Sequence, residues 1–183
     1  MGNLFTELLA IDLPIVQAAM GGATSPALAA AVSNAGGLGM LALGWSTLGA
    51  VREEIRATQA LTRRPFGVNL VLTQPQEERL ALAVAEGVKV VSFFWGKAGH
   101  ELTEAAHRGG AKVLHTVSSA ADARRAVDDG ADVVVAQGWE AGGHVHGSVA
   151  TMVLVPAVVD QVGNFQSLRR AGSLTGHPSI LTS

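Results

Sequence analysis

Short runs of β-branched and aliphatic residues alternate with longer, alanine-rich stretches along most of this chain. The short runs are apolar at consecutive positions, so the strands they predict are buried on both faces, as in a parallel sheet. "PIVQAAM" (14–20) predicts a strand, and "SPALAAAVSNAGG" (25–37) a helix with Ser25 at the N-cap, Pro26 at the first helical position and glycine at the end. "LGMLAL" (38–43) and "STLGAVREEIRATQAL" (46–61, capped by Ser46) repeat the pair, as do "FGVNLVL" (66–72) and "PQEERLALAVAEG" (75–87). "VKVVSFF" (88–94) precedes "GHELTEAAHRGG" (99–110), and "AKVLHTV" (111–117) precedes "SSAADARRAVDDG" (118–130). A sixth strand, "ADVVVAQ" (131–137), leads to a sixth helix, "ATMVLVPAVVDQVG" (150–163), which Pro156 must bend or restart.

Strands alternating with helices require an α/β fold with a parallel sheet and right-handed crossovers. Six such units fit an open doubly wound sheet or part of a (β/α)8 barrel, and a complete barrel needs ~250 residues. Residues 164–183 break the pattern, being rich in Ser, Gly, Arg and Pro without an apolar run of strand length. They read as a divergent, disordered tail behind a single domain of residues 1–163.

Composition narrows the functional classes. The 183 residues suffice for one core and not for two ordinary domains. A net charge of -2, with no basic cluster beyond the doublets Arg63-Arg64, Arg124-Arg125 and Arg169-Arg170, argues against a nucleic-acid surface. The absence of cysteine excludes disulfides, thiolate metal sites and cysteine nucleophiles, and fits a reducing compartment. The N-terminus lacks a basic region, and acidic residues interrupt its apolar stretches, so neither a signal peptide nor a membrane span is expected. "MGNLFT" fits the loose N-myristoylation pattern without basic support. The expectation is a cytoplasmic protein.

The candidate chemistry gathers at predicted strand ends. In "SNAGGLGM" (33–40) the glycines close a helix, the reverse of the dinucleotide loop, and an αL helix stop accounts for them. "QAAMGG" (17–22) lies between strand and helix, where Gly21 and Gly22 serve either a tight turn or the close approach of a flat ligand. Asn69, an amide inside an apolar strand, satisfies neighbouring backbone or faces a ligand with mixed donors and acceptors. His115, near the C-terminal end of its strand, reads as a hydrogen-bonded structural imidazole or as a group at the functional edge of a parallel barrel, and His100 and His107 read as solvated.

The most informative stretch is "AQGWEAGGHVHG" (136–147). Gln137 aims an amide at the C-terminal face of the sheet, and Gly138, Gly142 and Gly143 let backbone approach a ligand. His144 then brings an imidazole that titrates near neutrality, as a general base should. His146 completes an H-x-H pair, yet with no cysteine and no third ligand beyond Glu140, no metal is expected.

"PIVQAAMGG", "SNAGGLGML", "FGVNL" and "AQGWEAGGH", in this order and spacing, resemble the nitronate monooxygenase family, formerly called 2-nitropropane dioxygenase, from about residue 11 to 163. The resemblance implies an FMN-dependent (β/α)8 TIM barrel, here incomplete at about six of eight units. It implies that backbone around Ala19, Met20 and Gly21 lies against the flavin ring, that Asn69 and Gln137 bind FMN, and that Gly142 and Gly143 flank the flavin. His144 matches the family's catalytic histidine, which takes the α-proton of a nitroalkane; the nitronate reduces FMN, and O2 reoxidises it, leaving a carbonyl compound and nitrite. Family members continue with two further βα units that hold the FMN phosphate, and residues 164–183 do not resemble them, so a truncated and inactive product is one expectation. The open sheet edges predict aggregation or pairing with a second copy. Flavin-dependent enoyl-ACP reductases share much of the pattern and supply the alternative reaction, and a non-catalytic barrel fragment is the alternative of another class.

Overall fold

The structure, a computed structural model, describes the backbone of residues 4–169 and 179–182 and the side chains of residues 4–163. Gly2, on which the myristoylation reading depends, lies outside the described residues. The elements follow in the order α1 (Leu4–Leu9), α2 (Pro26–Asn34), β1 (Gly39–Ala42), α3 (Leu48–Leu61), β2 (Phe66–Val71), α4 (Glu77–Ala85) and β3 (Val90–Phe94). Then come α5 (Gly99–Arg108), β4 (Lys112–Val117), α6 (Ala120–Asp128), β5 (Val133–Ala136), α7 (Thr151–Arg169) and β6 (Ser179–Thr182).

All strands are parallel and neighbour one another in chain order, from β1 to β6. A doubly wound sheet reverses its order at a switch point and so receives helices on both faces. Here the order never reverses, and crossovers of one hand place every helix on the same face. Accordingly α2 packs on α3, α3 on α4, α4 on α5, and α6 on α7. This is the wall of an incomplete (β/α)8 barrel.

Strand parity divides the core in two. Leu41, Val68, Leu70, Val91, Phe93, Val113 and Val134 face outward, against Ile55, Leu80, Ala106, Ala123, Leu154 and Val158 of the helices. Their neighbours Met40, Val90, Leu114 and Val133 face inward and meet Phe5, Leu9 and Ile11, so α1 closes the N-terminal end of the barrel wall. Helix α1 carries no sequence expectation, because six residues are too few for a helical period to show. On the outer face at the start of β1, Gly39 lets α2 press directly on the strand, since a Cβ there would overlap the Ala29 carbonyl.

Three expectations are corrected. The strand expected over 14–20 is reduced to one bridge, Val16 to Leu38, flanked by the bonds Leu38 N–H to Ile15 O and Gln17 N–H to Leu38 O, both 2.9 Å. Among the described residues this segment pairs on one side only, and beyond Gln17 it turns away. The cap of α3 is Thr47, not Ser46. Of the two effects expected of Pro156 the restart is absent, since α7 runs on through it; the proline sits on the solvent side beside Met152, where water can serve the carbonyl that its missing N–H leaves free.

The boundary expected at residue 163 falls inside α7, and Ser179–Thr182 forms a strand where none was expected. The open edge of β5 supplies the backbone partners for that short segment, in register from Val133 opposite Ser179 to Ala136 opposite Thr182. Residues 170–178 and 183 of the expected tail lie outside the described residues.

Candidate active site

The loop after β5 is held from below by the last residue of its predicted strand. Gln137 is buried, donates from Nε2 to the His144 carbonyl at 3.0 Å, and accepts the His146 N–H at Oε1 at 3.4 Å. Both ends of the amide therefore engage the loop's own backbone. The Trp139 N–H closes the loop's base on the Val149 carbonyl at 2.9 Å. Gly138 is obligatory for space, because a Cβ there would overlap Thr151 Oγ1. Gly142 and Gly143 are different: a Cβ on either meets nothing within 4 Å, and Gly143 has φ +77°. They leave an open approach beside His144.

The two histidines of the H-x-H pair part company. His146 lies with Nδ1 3.4 Å from Ser118 Oγ. His144 instead presents its ring to two indoles, Trp95 at 4.9 Å between centroids with planes at 82°, and Trp45 at 6.1 Å with planes at 48°. Glu140 joins neither: its Oε1 accepts the Thr151 N–H at 2.9 Å and caps α7. Hydrogen bonds from its own backbone N–H and from Thr151 hold its carboxyl below the usual range. Among the described residues no group of three His, Cys, Asp or Glu converges as metal ligands.

The Ala19–Gly21 segment reaches the same rim. Met20 starts a turn in which its N–H donates to Thr24 Oγ1 at 2.9 Å and its carbonyl accepts the Thr24 N–H at 2.8 Å. Ala19 is half-buried against the inner core, Met20 is 43% exposed, and a Cβ on Gly21 would lie 4.0 Å from the Trp45 ring. Trp45 thus bridges the N-terminal turn and His144. Asn69 lies inside the wall, in register with Ala42 and Ser92, and its Nδ2 donates to Ser92 Oγ at 3.3 Å. By strand alternation Asn69, Ser92 and Thr116 make the upper interior polar, above the apolar floor of Met40, Val90, Leu114 and Val133.

Trp45 and Trp95 carry no expectation from sequence. The signal was present: the chain has three tryptophans and no tyrosine, and each tryptophan follows a strand end, β1, β3 or β5. Trp95 also holds φ +54°. A bulky side chain in that region costs on the order of 1–3 kcal/mol, and such strain concentrates at functional sites.

His115 faces outward, buried against Phe93 at 6.3 Å between ring centroids. Burial pushes its pKa down, partly opposed by the Gly96 backbone. His107, expected to be merely solvated, places Nε2 2.7 Å from Asp132 Oδ2. Asp132 also receives Lys112 at 3.1 Å and the Val113 N–H at 2.8 Å, a polar clasp at the N-terminal end of β4.

The chain that carries this imidazole and these aromatic rings matches known proteins in sequence as well as in shape. The family model for nitronate monooxygenase matches residues 3–81 and 75–164. The chain belongs to the nitronate monooxygenase family. It is 36% identical over 183 residues to a nitronate monooxygenase of Pseudomonas aeruginosa, covering 79% of this chain and 52% of that protein. It is 39% identical over 158 residues to the (3aS,4S,5R,7aS)-5-hydroxy-7a-methyl-1-oxo-octahydro-1H-indene-4-carboxyl-CoA dehydrogenase of Mycobacterium tuberculosis, covering 86% of this chain and 44% of that protein. Among solved structures, the nitroalkane oxidase of Streptomyces ansochromogenes aligns with a TM-score of 0.81 and 30% identity over 98% of this chain and 67% of its own. The chain spans about half the length of the two curated relatives. Membership of the nitronate monooxygenase family agrees with the site's position, since barrel enzymes work at the C-terminal face of their strands.

Proposed function

We propose that this chain carries the base and the ring-binding half of an FMN-dependent oxidoreductase acting on carbon acids, with alkyl nitronates and their parent nitroalkanes as the first substrate class. The observation that carries the reading is the position of His144. Its exposed imidazole stands in the mouth of the barrel wall, between Trp45 and Trp95 and beside the Ala19–Gly21 turn.

The residues present fit a flat heteroaromatic ring. Gly142 and Gly143 leave open space, Asn69, Ser92 and Thr116 offer amide and hydroxyl groups, and Gln17 Oε1 is buried with no hydrogen-bond donor. An acceptor left alone in the interior costs about 1–3 kcal/mol, and an N–H on a ring edge would satisfy it. Ala19, Met20 and Gly21 would lie against the ring, with Asn69 and Gln137 serving its polar edge directly or through the loop.

His144 takes the proton from the carbon next to the nitro group, leaving the negative charge on the nitronate oxygens. Bound FMN would supply the two-electron acceptor that no side chain can provide, with O2 as terminal oxidant. Met20, Trp45 and Trp95 cover the reacting centre with apolar surface and limit the water around it.

A second reading is favoured by the 39% identity to a carboxyl-CoA dehydrogenase, the higher of the two identities above. A thioester carbonyl acidifies its α-carbon as a nitro group does, so the same base would serve. The experiment is to purify the 183-residue chain with added FMN, desalt it, record the visible spectrum, and assay nitronate with O2 and without nicotinamide. Retained flavin with nitrite release supports the first reading. Retained flavin that acts only on acyl-CoA esters supports the second, and consumption of enoyl thioesters with NAD(P)H would replace both by the reductase reaction. A colourless, inactive protein would leave the barrel fragment as the account of this chain.

A further inference from the structure

The loop that presents His144 is permissive. Gly142 and Gly143 precede it in open space, and Gln137 fixes only its backbone carbonyl. A catalytic imidazole is ordinarily oriented by a hydrogen bond to its second ring nitrogen, often from a carboxylate or a backbone carbonyl. Among the described residues no hydrogen bond reaches the ring of His144; its contacts are the two indoles.

Trp95 is held in place from three sides. Phe94 stacks on it at 4.9 Å with planes at 28°, and the Phe94 carbonyl accepts the Leu72 N–H at 2.9 Å. Gly96 continues the left-handed turn with φ +71°, and a Cβ there would stand 3.1 Å from Leu72 Cβ. Beneath it the buried His115 lines the same small cleft as Gly96.

We propose that Trp95 is the positioning residue for His144: its left-handed turn, continued through Gly96 above the buried His115, sets indole against imidazole, and Trp45 adds a second ring. Two aromatic walls thereby orient the ring in place of a hydrogen bond, and both ring nitrogens stay available to a substrate. As a role in proton abstraction this rests on His144 being the base. The contact itself does not, and it can be read without flavin.

The emission of the purified chain comes from Trp45, Trp95 and Trp139, with no tyrosine. A protonated imidazole touching an indole quenches its fluorescence. Lowering the pH from about 8 to about 5, across the range in which an ordinary imidazole protonates, should therefore produce a sigmoidal loss of emission. His115, His146, Lys97, Asp122, Asp129 and Glu140 are other titratable groups near this rim, and none makes a ring contact with Trp45 or Trp95. The step should vanish in His144→Gln, shrink strongly in Trp95→Phe, weaken in His115→Gln, and persist in Trp139→Phe. A step that survives His144→Gln, or that Trp95→Phe leaves intact, overturns the proposal. Trp95→Gly keeps a residue suited to φ +54° and should unfold cooperatively while losing the step; loss of folding would make Trp95 a packing residue instead. In flavin-loaded protein both Trp95 variants should lose turnover of neutral nitroalkane and keep that of preformed nitronate. Equal losses on the two substrates overturn the positioning role, whereas a wild type inactive on both counts against the proposed function and leaves the contact to the emission step.

Discussion

Gln137 holds His144 by its backbone, donating from Nε2 to the His144 carbonyl at 3.0 Å while its Oε1 receives the His146 N–H at 3.4 Å. One buried amide thus ties both histidine positions to the end of β5. Gln137→Leu keeps the size and removes the tie. A neutral hydrogen bond contributes about 0.5–1.5 kcal/mol, and an orphaned buried group costs about 1–3 kcal/mol. The expected result is a loss of about 1–2 kcal/mol in urea unfolding, with faster amide hydrogen exchange confined to residues 138–147. Unchanged exchange in that loop would show that Trp139 and Glu140 alone hold it.

Removing the base should separate two substrates that differ by one proton. Positioned general bases contribute typically 10²–10⁴-fold. In a flavin-loaded form of the enzyme, His144→Ala should lower turnover of neutral nitroalkane by about that factor. Preformed nitronate, which needs no deprotonation, should lose about tenfold at most. Steady-state nitrite release from both substrates makes the comparison, and parallel losses would remove the general-base role.

The loop of this candidate site is legible in the sequence, and the reason is local. Gln137, Gly142, Gly143 and His144 sit in one twelve-residue stretch directly after an apolar strand, so position and chemistry coincide in the sequence. The barrel's strands and outer helices were legible too, because each is long enough to carry a pattern. What was hidden depends on contacts distant in sequence. Trp45 and Trp95 lie about a hundred and about fifty residues before His144 and meet it only because β1, β3 and β5 end at one rim. The strand expected over 14–20 shrank to the Val16–Leu38 bridge, since pairing depends on neighbours that hydrophobicity cannot reveal. Ser179–Thr182 became a strand for the converse reason: β5 offered an edge.

Acid should weaken this fold through His115. Burial lowers its pKa below the ordinary histidine value of 6.5, so near neutrality and below, the unfolded chain binds a proton that the native state does not. Stability therefore rises with pH across that interval. The contribution is complete above the unfolded value of about 6.5 and is lost as pH falls through the lower folded value. Urea midpoints of wild type and His115→Gln, compared at pH 8 and pH 5, isolate it. The wild type should lose more stability on acidification than the variant does, and equal losses would assign the acid sensitivity to other groups.

Two glycines, one in β1 and one in the loop after β5, separate small residues that serve packing from those that serve a ligand. Gly39→Ala drives a Cβ into the Ala29 carbonyl, where both partners are backbone and neither can swing away. Overpacking of a rigid core costs about 1–3 kcal/mol and occasionally more, and this variant should fall at or above the upper end in urea unfolding. Gly142 has no positive φ, and a Cβ there meets nothing within 4 Å. Gly142→Ala should therefore fold with a stability within about 0.5 kcal/mol of wild type, as exposed substitutions do. If the open space beside His144 receives a flat ring, the added methyl should still weaken FMN binding, measured by equilibrium dialysis. Unchanged FMN affinity in Gly142→Ala would move the ring's position away from this loop, whatever Gly39→Ala does to the fold.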